Sequence, residues 1–241
     1  MVIDLHAHIL PGADHGCRDR ATAQVQLESI AANGTDAVVA TPHFYPHRDN
    51  IVAFLARRTA AVERLRRCTL PPALRVFLGA EVQVCEGLDE MEELEALCIR
   101  GTKVILLEMP HTKWSTRLLA TVLAIAERGL VPVLAHIDRY PVREINKLLE
   151  KGVLAQLNAE AFEGFFSRRR AMRYLKGGRV VAFGSDLHGA ELDGYGAFLR
   201  VKRLDAAQEV FARTRTLLAG AENIAEALPA SAEMGMMEGC L

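Results

Sequence analysis

Residues 3–16 read IDLHAHILPGADHG, in which a short apolar run passes directly into His6 and His8. This arrangement is typical of a buried strand whose carboxyl end opens on a polar site. Further apolar runs of the same kind follow along the chain. We place strand candidates at 2–5, 37–40, 75–78, 104–107, 131–135, 153–157 and 180–183.

The segments between the strand candidates have helical periodicity, and we expect helices within 18–33, 51–67, 88–98, 115–128 and 141–151. Alternating strands and helices favour a parallel sheet covered by helices. The strand candidates are apolar at successive positions, as expected for strands buried on both faces. An open doubly wound sheet and a closed α/β barrel both fit this pattern. The seven strand candidates and the polar residues at their ends favour the barrel.

Length and composition predict a single domain. The chain has 241 residues, 50% of them hydrophobic, which is enough to bury one large core. We expect one domain over 1–228 and a mobile tail over 229–241, where small polar residues show no periodicity. Five cysteines without a CxxC pair indicate neither a disulfide framework nor a thiolate zinc site.

The charge balance argues against two classes of partner. With 29 basic and 30 acidic side chains, the chain lacks the basic excess that nucleic-acid binding requires, and we expect no attraction to anionic lipid. The arginines at 57–67 and 168–170 and the acidic run 89–95 are expected to form solvated helix faces. No apolar run reaches the roughly 18–20 residues of a membrane span, and the start MVIDLHAH does not resemble a signal peptide. A cytoplasmic location is therefore expected.

Polar side chains follow every strand candidate. They are His6, His8, His43, Glu81, Glu108, His136, Asn158, Asp186 and His188. The carboxyl ends of parallel strands open on one face of such folds, so residues remote in sequence are expected to converge there. Six of the eight histidines lie at strand ends or just beyond them, which favours a metal site over scattered structural roles.

The residue types indicate which metals fit. Two histidines two positions apart on a strand point the same way and can share one ion. Imidazoles and carboxylates without thiolates suit zinc, manganese or iron. The candidate ligands are His6, His8, Asp14, His43, Glu81, Glu108, His136, Asp186 and His188. This number exceeds what one ion can hold and predicts a cluster with a bridging carboxylate, an arrangement suited to hydrolysing phosphate esters.

The motifs extend over nearly the whole chain in order. They are IDLHAHILPGADHG at 3–16, ATPH at 40–43, GAEV at 79–82, LLEMP at 106–110, VLAHIDRY at 133–140, QLNAEAF at 156–162 and GSDLHG at 184–189. In these motifs the chain resembles the polymerase-and-histidinol-phosphatase (PHP) family. Within that family it is most similar to the bacterial manganese-dependent protein-tyrosine phosphatases of capsule and exopolysaccharide operons. The resemblance implies a distorted (β/α)7 barrel with the metal site at the carboxyl ends of the strands.

The resemblance also implies three divalent ions, with Mn2+ expected and Fe or Zn as alternatives. One ion would be held by His6, His8, Glu81 and Asp186, and a second by Glu81, Glu108 and His136. A third would be held by Asp14, His43 and His188, which are also expected to act in catalysis. Arg139 is expected to take part in catalysis and to bind phosphate through its planar guanidinium. Asn158 is expected to bind phosphate or to support a ligand.

The function implied is hydrolysis of phosphotyrosine in a protein, expected to be the tail of a bacterial tyrosine autokinase that regulates polysaccharide export. A small-molecule phosphatase such as histidinol phosphatase is the alternative with the same chemistry. A catalytically silent metal-binding partner of the polysaccharide machinery is an alternative of another class. No cysteine is followed by arginine six positions later, which excludes the cysteine-dependent tyrosine phosphatases.

The chain departs from the family pattern at two places. It reads Asp-His-Gly at 14–16, where the group commonly has Asp-Asp-Gly, and the histidine is either an acid–base group or a rim residue. The arginine usual after the Ser-Asp-x-His motif is absent, and Arg200 and Tyr195 are the candidates to replace it. Trp114 and Tyr140 follow strand ends and either wall a pocket or pack in the core.

Overall fold

The structure is a computed structural model that describes residues 1–190 and 193–224. The predicted tail 229–241 lies outside the described residues. The strands are β1 (Ile3–Ala7), β2 (Ala37–Ala40), β3 (His43–Phe44), β4 (Arg75–Leu78), β5 (Glu81–Gln83), β6 (Val104–Glu108), β7 (Val131–Leu134), β8 (Leu154–Asn158) and β9 (Val180–Gly184). The helices are α1 (Arg20–Ala32), α2 (Ile51–Leu65), α3 (Thr116–Glu127), α4 (Val142–Glu150), α5 (Phe165–Lys176), α6 (Asp193–Val201) and α7 (Ala207–Leu217).

The nine strands form one parallel sheet in the order β3-β5-β6-β7-β8-β9-β1-β2-β4. All seven predicted strands are confirmed, and the two additional ones are the short β3 and β5. Each of these continues a predicted strand after two residues that lie outside the strands, 41–42 and 79–80. Pro42 has no N–H to donate, which favours the first break. Since β3 follows β2 and β5 follows β4, the chain itself joins the two edges of the sheet, and the predicted α/β barrel class is confirmed.

One predicted helix is wrong. Over 88–98 the chain forms two short 3-10 turns, Leu88–Glu90 and Leu94–Leu97, instead of one α-helix. Glu93 between them has a φ of 58°, in the left-handed region that interrupts a right-handed helix. Leu88, Leu94 and Leu97 are buried at intervals of six and three residues, which match the three residues per turn of a 3-10 helix and not the 3.6 of an α-helix. The acidic run 89–95 is largely exposed, as predicted, but it lies on these short turns instead of on an α-helix.

Both faces of the sheet are buried, as the unbroken apolar runs predict. Along β6, Ile105 and Leu107 pack in a large cluster that also contains Val122 and Ile125 of α3. The alternate residues Val104 and Leu106 belong to a second, smaller cluster of strand residues. One face therefore packs against helices and the other fills the inside of the curled sheet. This packing leaves the carboxyl ends of the strands as the place for polar side chains.

The four cysteines among the described residues, Cys17, Cys68, Cys85 and Cys98, are all free thiols. No disulfide links these four residues, and the sequence indicated no disulfide framework. No helix within 1–190 or 193–224 has the length and apolar character needed to cross a membrane.

Candidate metal and phosphate site

The predicted metal ligands are brought to one end of the sheet. His6 lies on β1, His43 on β3, Glu81 on β5 and Glu108 on β6, while His136 follows β7 and Asp186 and His188 follow β9. The pairing of β3 with β5 sets His43 directly opposite Glu81. Beyond the end of β9, the Asp186 N–H donates to the His6 carbonyl over 2.8 Å, which brings Asp186 beside the histidines of β1.

Two of these residues have strained backbone. His136 has a φ of 30° and Asp186 a φ of 53°, conformations that residues other than glycine rarely adopt. Such strain tends to concentrate at functional sites, where the surrounding structure holds it in place. The His136 side chain contacts Glu81, and the Asp186 side chain contacts His6 and His8.

Four buried donor atoms lie close enough together to hold one cation. They are Nε2 of His6, Nε2 of His8, Oε2 of Glu81 and Oδ1 of Asp186. The two imidazole nitrogens are 3.1 Å apart, and each lies 3.2–3.4 Å from the two carboxylate oxygens. Ligands about 2.1 Å from a tetrahedral ion are about 3.4 Å from one another, so the set fits a divalent metal.

Unpaired buried atoms point to further positive charge. Oε2 of Glu81, Oε2 of Glu108 and Nδ1 of His43 are buried and make no hydrogen bond in the described part of the chain. Leaving such atoms without a partner is costly in a protein interior. His43, Glu81 and Glu108 form a second group with converging donor atoms, and His8, His43 and His188 form a third. The donors therefore fit more than one ion.

The structure groups two predicted ligands differently from the implied assignment. His136 Nε2 lies 2.8 Å from Oε1 of Glu81. The first group uses the other oxygen of that carboxylate, Oε2. Asp14 lies behind His8, with Oδ2 2.7 Å from Nδ1 of His8 and 2.9 Å from the donating N–H of His43. A carboxylate in that position orients the imidazole and raises its basicity as a ligand.

The cluster holds protons in the absence of metal. Burial opposes the protonation of His8, but its hydrogen bond with Asp14 and its close contacts with the carboxylates of Asp186 and Glu81 outweigh this and raise its pKa well above the usual value. Burial, followed by the charge of Glu81, raises the pKa of Glu108 to about 7. A cation that takes these ligands must displace such protons.

We therefore expect Mn2+ binding to release protons and to tighten as pH rises from 6 to 8. Below its pKa of about 7, Glu108 is protonated in the metal-free protein, and the bound ion requires its carboxylate. Apparent affinity should rise by up to about tenfold per pH unit for each proton displaced. Titration calorimetry in buffers of different ionisation enthalpy measures the release. The variant Glu108→Gln should release fewer protons, and an affinity that falls with rising pH would contradict the prediction.

Gln156 supports the cluster and was missed by the sequence analysis. Its Oε1 accepts from the His136 N–H over 2.7 Å and lies 3.4 Å from Nδ1 of His6. Its Nε2 donates to Oδ1 of Asn158 over 2.8 Å, and Asn158 in turn donates to Oδ2 of Asp186 over 3.0 Å. A glutamine inside an apolar strand was the available signal. Asn158 is only 1% exposed. Of its two predicted roles, phosphate binding and support of a metal ligand, this burial fits the second.

Replacing Gln156 with leucine is expected to weaken metal binding by about 10–100-fold, because its amide oxygen holds the backbone N–H of His136 and lies against the imidazole of His6. Unsatisfied partners should also lower the free energy of unfolding by about 1–3 kcal/mol. Metal titration and denaturant unfolding measure the two effects. Thr214→Val, at a buried hydroxyl that contacts Val181 O at 2.7 Å, is the control that should lose stability without losing metal affinity.

A cavity of about 210 Å³ opens over the donor cluster. Its lining residues are His15, His43, Tyr45, Glu81, Glu108, His136, Arg139, Asp186 and His188. Tyr45, which the sequence analysis also missed, stacks on His43 with ring centroids 5.0 Å apart. His15 stacks on His43 at 4.9 Å and is exposed, which places it at the rim. An aromatic residue two positions beyond a strand-end histidine was the signal for Tyr45.

Arg139 is the one arginine among the described residues that lines this cavity. Its Nη2 lies 2.7 Å from Oδ2 of Asp186, and its side chain is 41% exposed. Neither candidate for the missing family arginine reaches the cavity. Arg200 forms an ion pair with Glu163, and Tyr195 is fully buried. Any binding of an anion by a guanidinium group in this cavity therefore depends on Arg139.

Trp114 and Tyr140 pack in the core. They are 8% and 2% exposed and contact each other edge-on at 5.3 Å. The Tyr140 hydroxyl accepts from the Met109 N–H over 3.0 Å. Both residues also line a neighbouring cavity of about 450 Å³, which Arg139 lines as well. Each of them therefore packs in the core and also forms part of a pocket wall.

The chain is similar over most of its length to proteins of known family. The family model described as capsular polysaccharide synthesis, CpsB/CapC, matches residues 2–193. Tyrosine-protein phosphatase YwqE of Bacillus subtilis (strain 168) is 27% identical over 203 residues, which cover 78% of this chain and 77% of that protein. Tyrosine-protein phosphatase CpsB of Streptococcus pneumoniae is 28% identical over 211 residues, which cover 78% of this chain and 83% of that protein.

The fold is similar to a crystal structure from work on these same two proteins, described as unique metal-dependent tyrosine phosphatases. The TM-score is 0.72 at 22% sequence identity, with 92% of this chain and 96% of the other covered. At this level of identity the superposition shows a shared fold.

Proposed function

Since the chain belongs to the CpsB/CapC family of capsular polysaccharide synthesis, we propose that it is a metal-dependent phosphatase that hydrolyses phosphotyrosine in a protein. The names of two relatives support this activity, and the resemblance drawn from the motifs is confirmed. We further propose that the substrate is the phosphorylated tail of a bacterial tyrosine autokinase that regulates polysaccharide export. Action in the cytoplasm is part of the proposal, because such kinases use ATP.

The observation that carries the proposal is the convergence of buried imidazole and carboxylate donors beside one half-exposed guanidinium. The donors of the first group lie 3.1–3.4 Å apart, and Arg139 lies next to them through its contact with Asp186. Such a site presents cations on two sides of a small polar cavity. A phosphate monoester, with its double negative charge, is the ligand that this charge distribution fits.

The proposed cofactors are three divalent ions, with manganese expected. One would be held by His6, His8, Glu81 and Asp186, a second by Glu81, Glu108 and His136, and a third by His43 and His188 with Asp14 beside them. When bound, the ions would neutralise phosphate charge and lower the pKa of the attacking water.

The residues of the chain would bind and orient the phosphate. Arg139 would grip two phosphate oxygens through its planar fork, and Asp186 holds that guanidinium at the cavity edge. Asn158 donates to the same carboxylate oxygen, so the position of Asp186 is fixed from behind. Burial raises the pKa of Tyr45 to about 12, which keeps its phenol neutral and able to donate a hydrogen bond in the cavity. These contacts would align phosphorus for in-line attack.

The cysteines of the described chain are unsuited to covalent catalysis. Burial raises the pKa of Cys17 to about 12 and that of Cys98 to about 11. A thiol with so high a pKa is not a nucleophilic thiolate at neutral pH. This supports direct hydrolysis without a phosphocysteine intermediate.

The test is turnover by the purified, manganese-loaded protein on a phosphotyrosine peptide, p-nitrophenyl phosphate, a phosphoserine peptide and histidinol phosphate. We expect the highest kcat/KM on the phosphotyrosine peptide and loss of activity on chelation. Preference for histidinol phosphate would replace the proposal with a small-molecule phosphatase. Absence of phosphate release from every substrate would favour a silent metal-binding partner. Release of phosphate from an autokinase tail tests the proposed partner directly.

A further inference from the structure

The charge of the chain is distributed unevenly. Residues 165–179 read FFSRRRAMRYLKGGR and contain six cationic side chains and no acidic one, although the whole chain has a net charge of −1. The expectation of no attraction to anionic lipid was based on that overall sum. A local patch can attract a charged surface whatever the total, because the attraction falls off within a Debye length.

The cations of α5 are available for binding. Arg168, Arg169, Arg173 and Lys176 are exposed, and none of them is paired with a carboxylate in the described part of the chain. Arg170 differs, because its guanidinium donates to the Asp138 carbonyl and is anchored to the protein. The exposed face of the helix is therefore a stripe of free positive charge.

Two aromatic side chains protrude beside this stripe. Phe165 is 77% exposed and its neighbour Phe166 is 82% exposed, and their rings contact each other edge-on at 5.3 Å. Most surface phenylalanines bury far more of their area, so an adjacent pair in solvent indicates an interaction site. The pair begins α5, and therefore lies toward the end of the sheet where the donor cluster opens.

Apolar and cationic groups also share one groove. A cavity of about 670 Å³ along the helix is lined by Phe165, Arg168, Arg169, Met172, Arg173 and Lys176. Its apolar side chains lie among four cations with no acidic group in the lining. A phospholipid with an anionic headgroup presents the complementary combination of phosphate and hydrocarbon.

We propose that α5 is a peripheral membrane-binding surface that docks the protein on anionic phospholipid. Its cations contact headgroups while Phe165 and Phe166 enter the interfacial region. A second copy docked face to face would set four exposed cations against four, and an acidic peptide would leave the protruding aromatic pair unused. The proposal concerns where the protein works and does not depend on the proposed phosphatase activity.

The test is binding of the full-length, metal-loaded protein to vesicles of phosphatidylcholine alone or with a third phosphatidylglycerol. We expect binding only to the anionic vesicles, and weaker binding at high salt. Each cation near such a surface contributes a factor of about five, so Arg168→Gln/Arg169→Gln/Arg173→Gln should bind roughly 100-fold more weakly. Phe165→Ser/Phe166→Ser should bind at least about tenfold more weakly, because the apolar insertion is lost.

Two controls lie outside the patch. Arg18→Gln/Arg75→Gln/Lys103→Gln removes the same charge from three other exposed positions, and Val52→Ser removes an apolar side chain that is 70% exposed. Both should bind anionic vesicles like the parent, and all variants should keep the parent's far-UV circular dichroism. Equal binding to neutral vesicles or equal losses in the controls would overturn the proposal. So would self-association of the parent that the α5 variants abolish while vesicle binding is unchanged.

Discussion

Glu81→Gln is expected to abolish phosphatase activity, with a loss in kcat of roughly a thousandfold or more. Oε2 of Glu81 lies 3.0–3.3 Å from nitrogens of His6, His8 and His43, and it makes no hydrogen bond of its own. Glutamine keeps the shape but removes the negative charge that a shared cation requires. Losing the metal's charge stabilisation removes several kcal/mol, and each loss of about 1.4 kcal/mol lowers the rate tenfold.

The measurement combines metal analysis with turnover of p-nitrophenyl phosphate. Bound metal should fall together with kcat, while circular dichroism should show the fold retained. Glu92→Gln, an exposed carboxylate on the segment after β5, is the matched control and should leave both quantities unchanged. A Glu81→Gln protein that keeps its full metal content and a tenth of the parent activity would remove Glu81 from the proposed cluster.

Arg139→Lys is expected to lower kcat/KM for a phosphotyrosine peptide by roughly 100-fold while the metal content stays the same. Lysine keeps the positive charge but lacks the planar fork that binds two phosphate oxygens at once. Loss of one such stabilising donor typically costs about 10²–10³ in rate. Because no other arginine among the described residues lines the cavity, none can substitute.

Inhibition by inorganic phosphate separates binding from general damage. We expect its inhibition constant to rise in Arg139→Lys, whereas Arg143→Lys, an exposed arginine of α4, should match the parent. Metal loss in Arg139→Lys would show that the contact with Asp186 serves the ligand cluster. An unchanged phosphate inhibition constant would rule out the phosphate-binding role.

Hydrophobic patterning predicted the strands, because the apolar run that a buried strand needs is a property of local sequence. Strands buried on both faces require unbroken apolar runs, and each of the seven runs became a strand. The segment 88–98 failed for the converse reason. Its leucines are buried with a period of three residues instead of 3.6, and Glu93 adopts a left-handed backbone conformation. Hydrophobic spacing carries no information about a single φ angle.

The sequence predicted which residue types lie at the strand ends of the candidate site. It did not predict which of these residues contact one another. Asp14 contacts His8, and Asn158 contacts Asp186. No spacing rule in the sequence distinguishes such a supporting residue from one that binds the metal directly. Gln156 and Tyr45 escaped notice for the same reason, since each is defined by the residue it contacts.

The amino-acid sequence by itself determined the class of fold, the end of the sheet that carries chemistry, and the kinds of donor found there. These follow from burial and from the direction of parallel strands, which act wherever such a pattern occurs. The folded structure was needed to show which imidazole faces which carboxylate and that the phenylalanines of α5 stay exposed beside its arginines. Both depend on residues far apart in the chain, which strand register and helix packing bring together or leave in solvent.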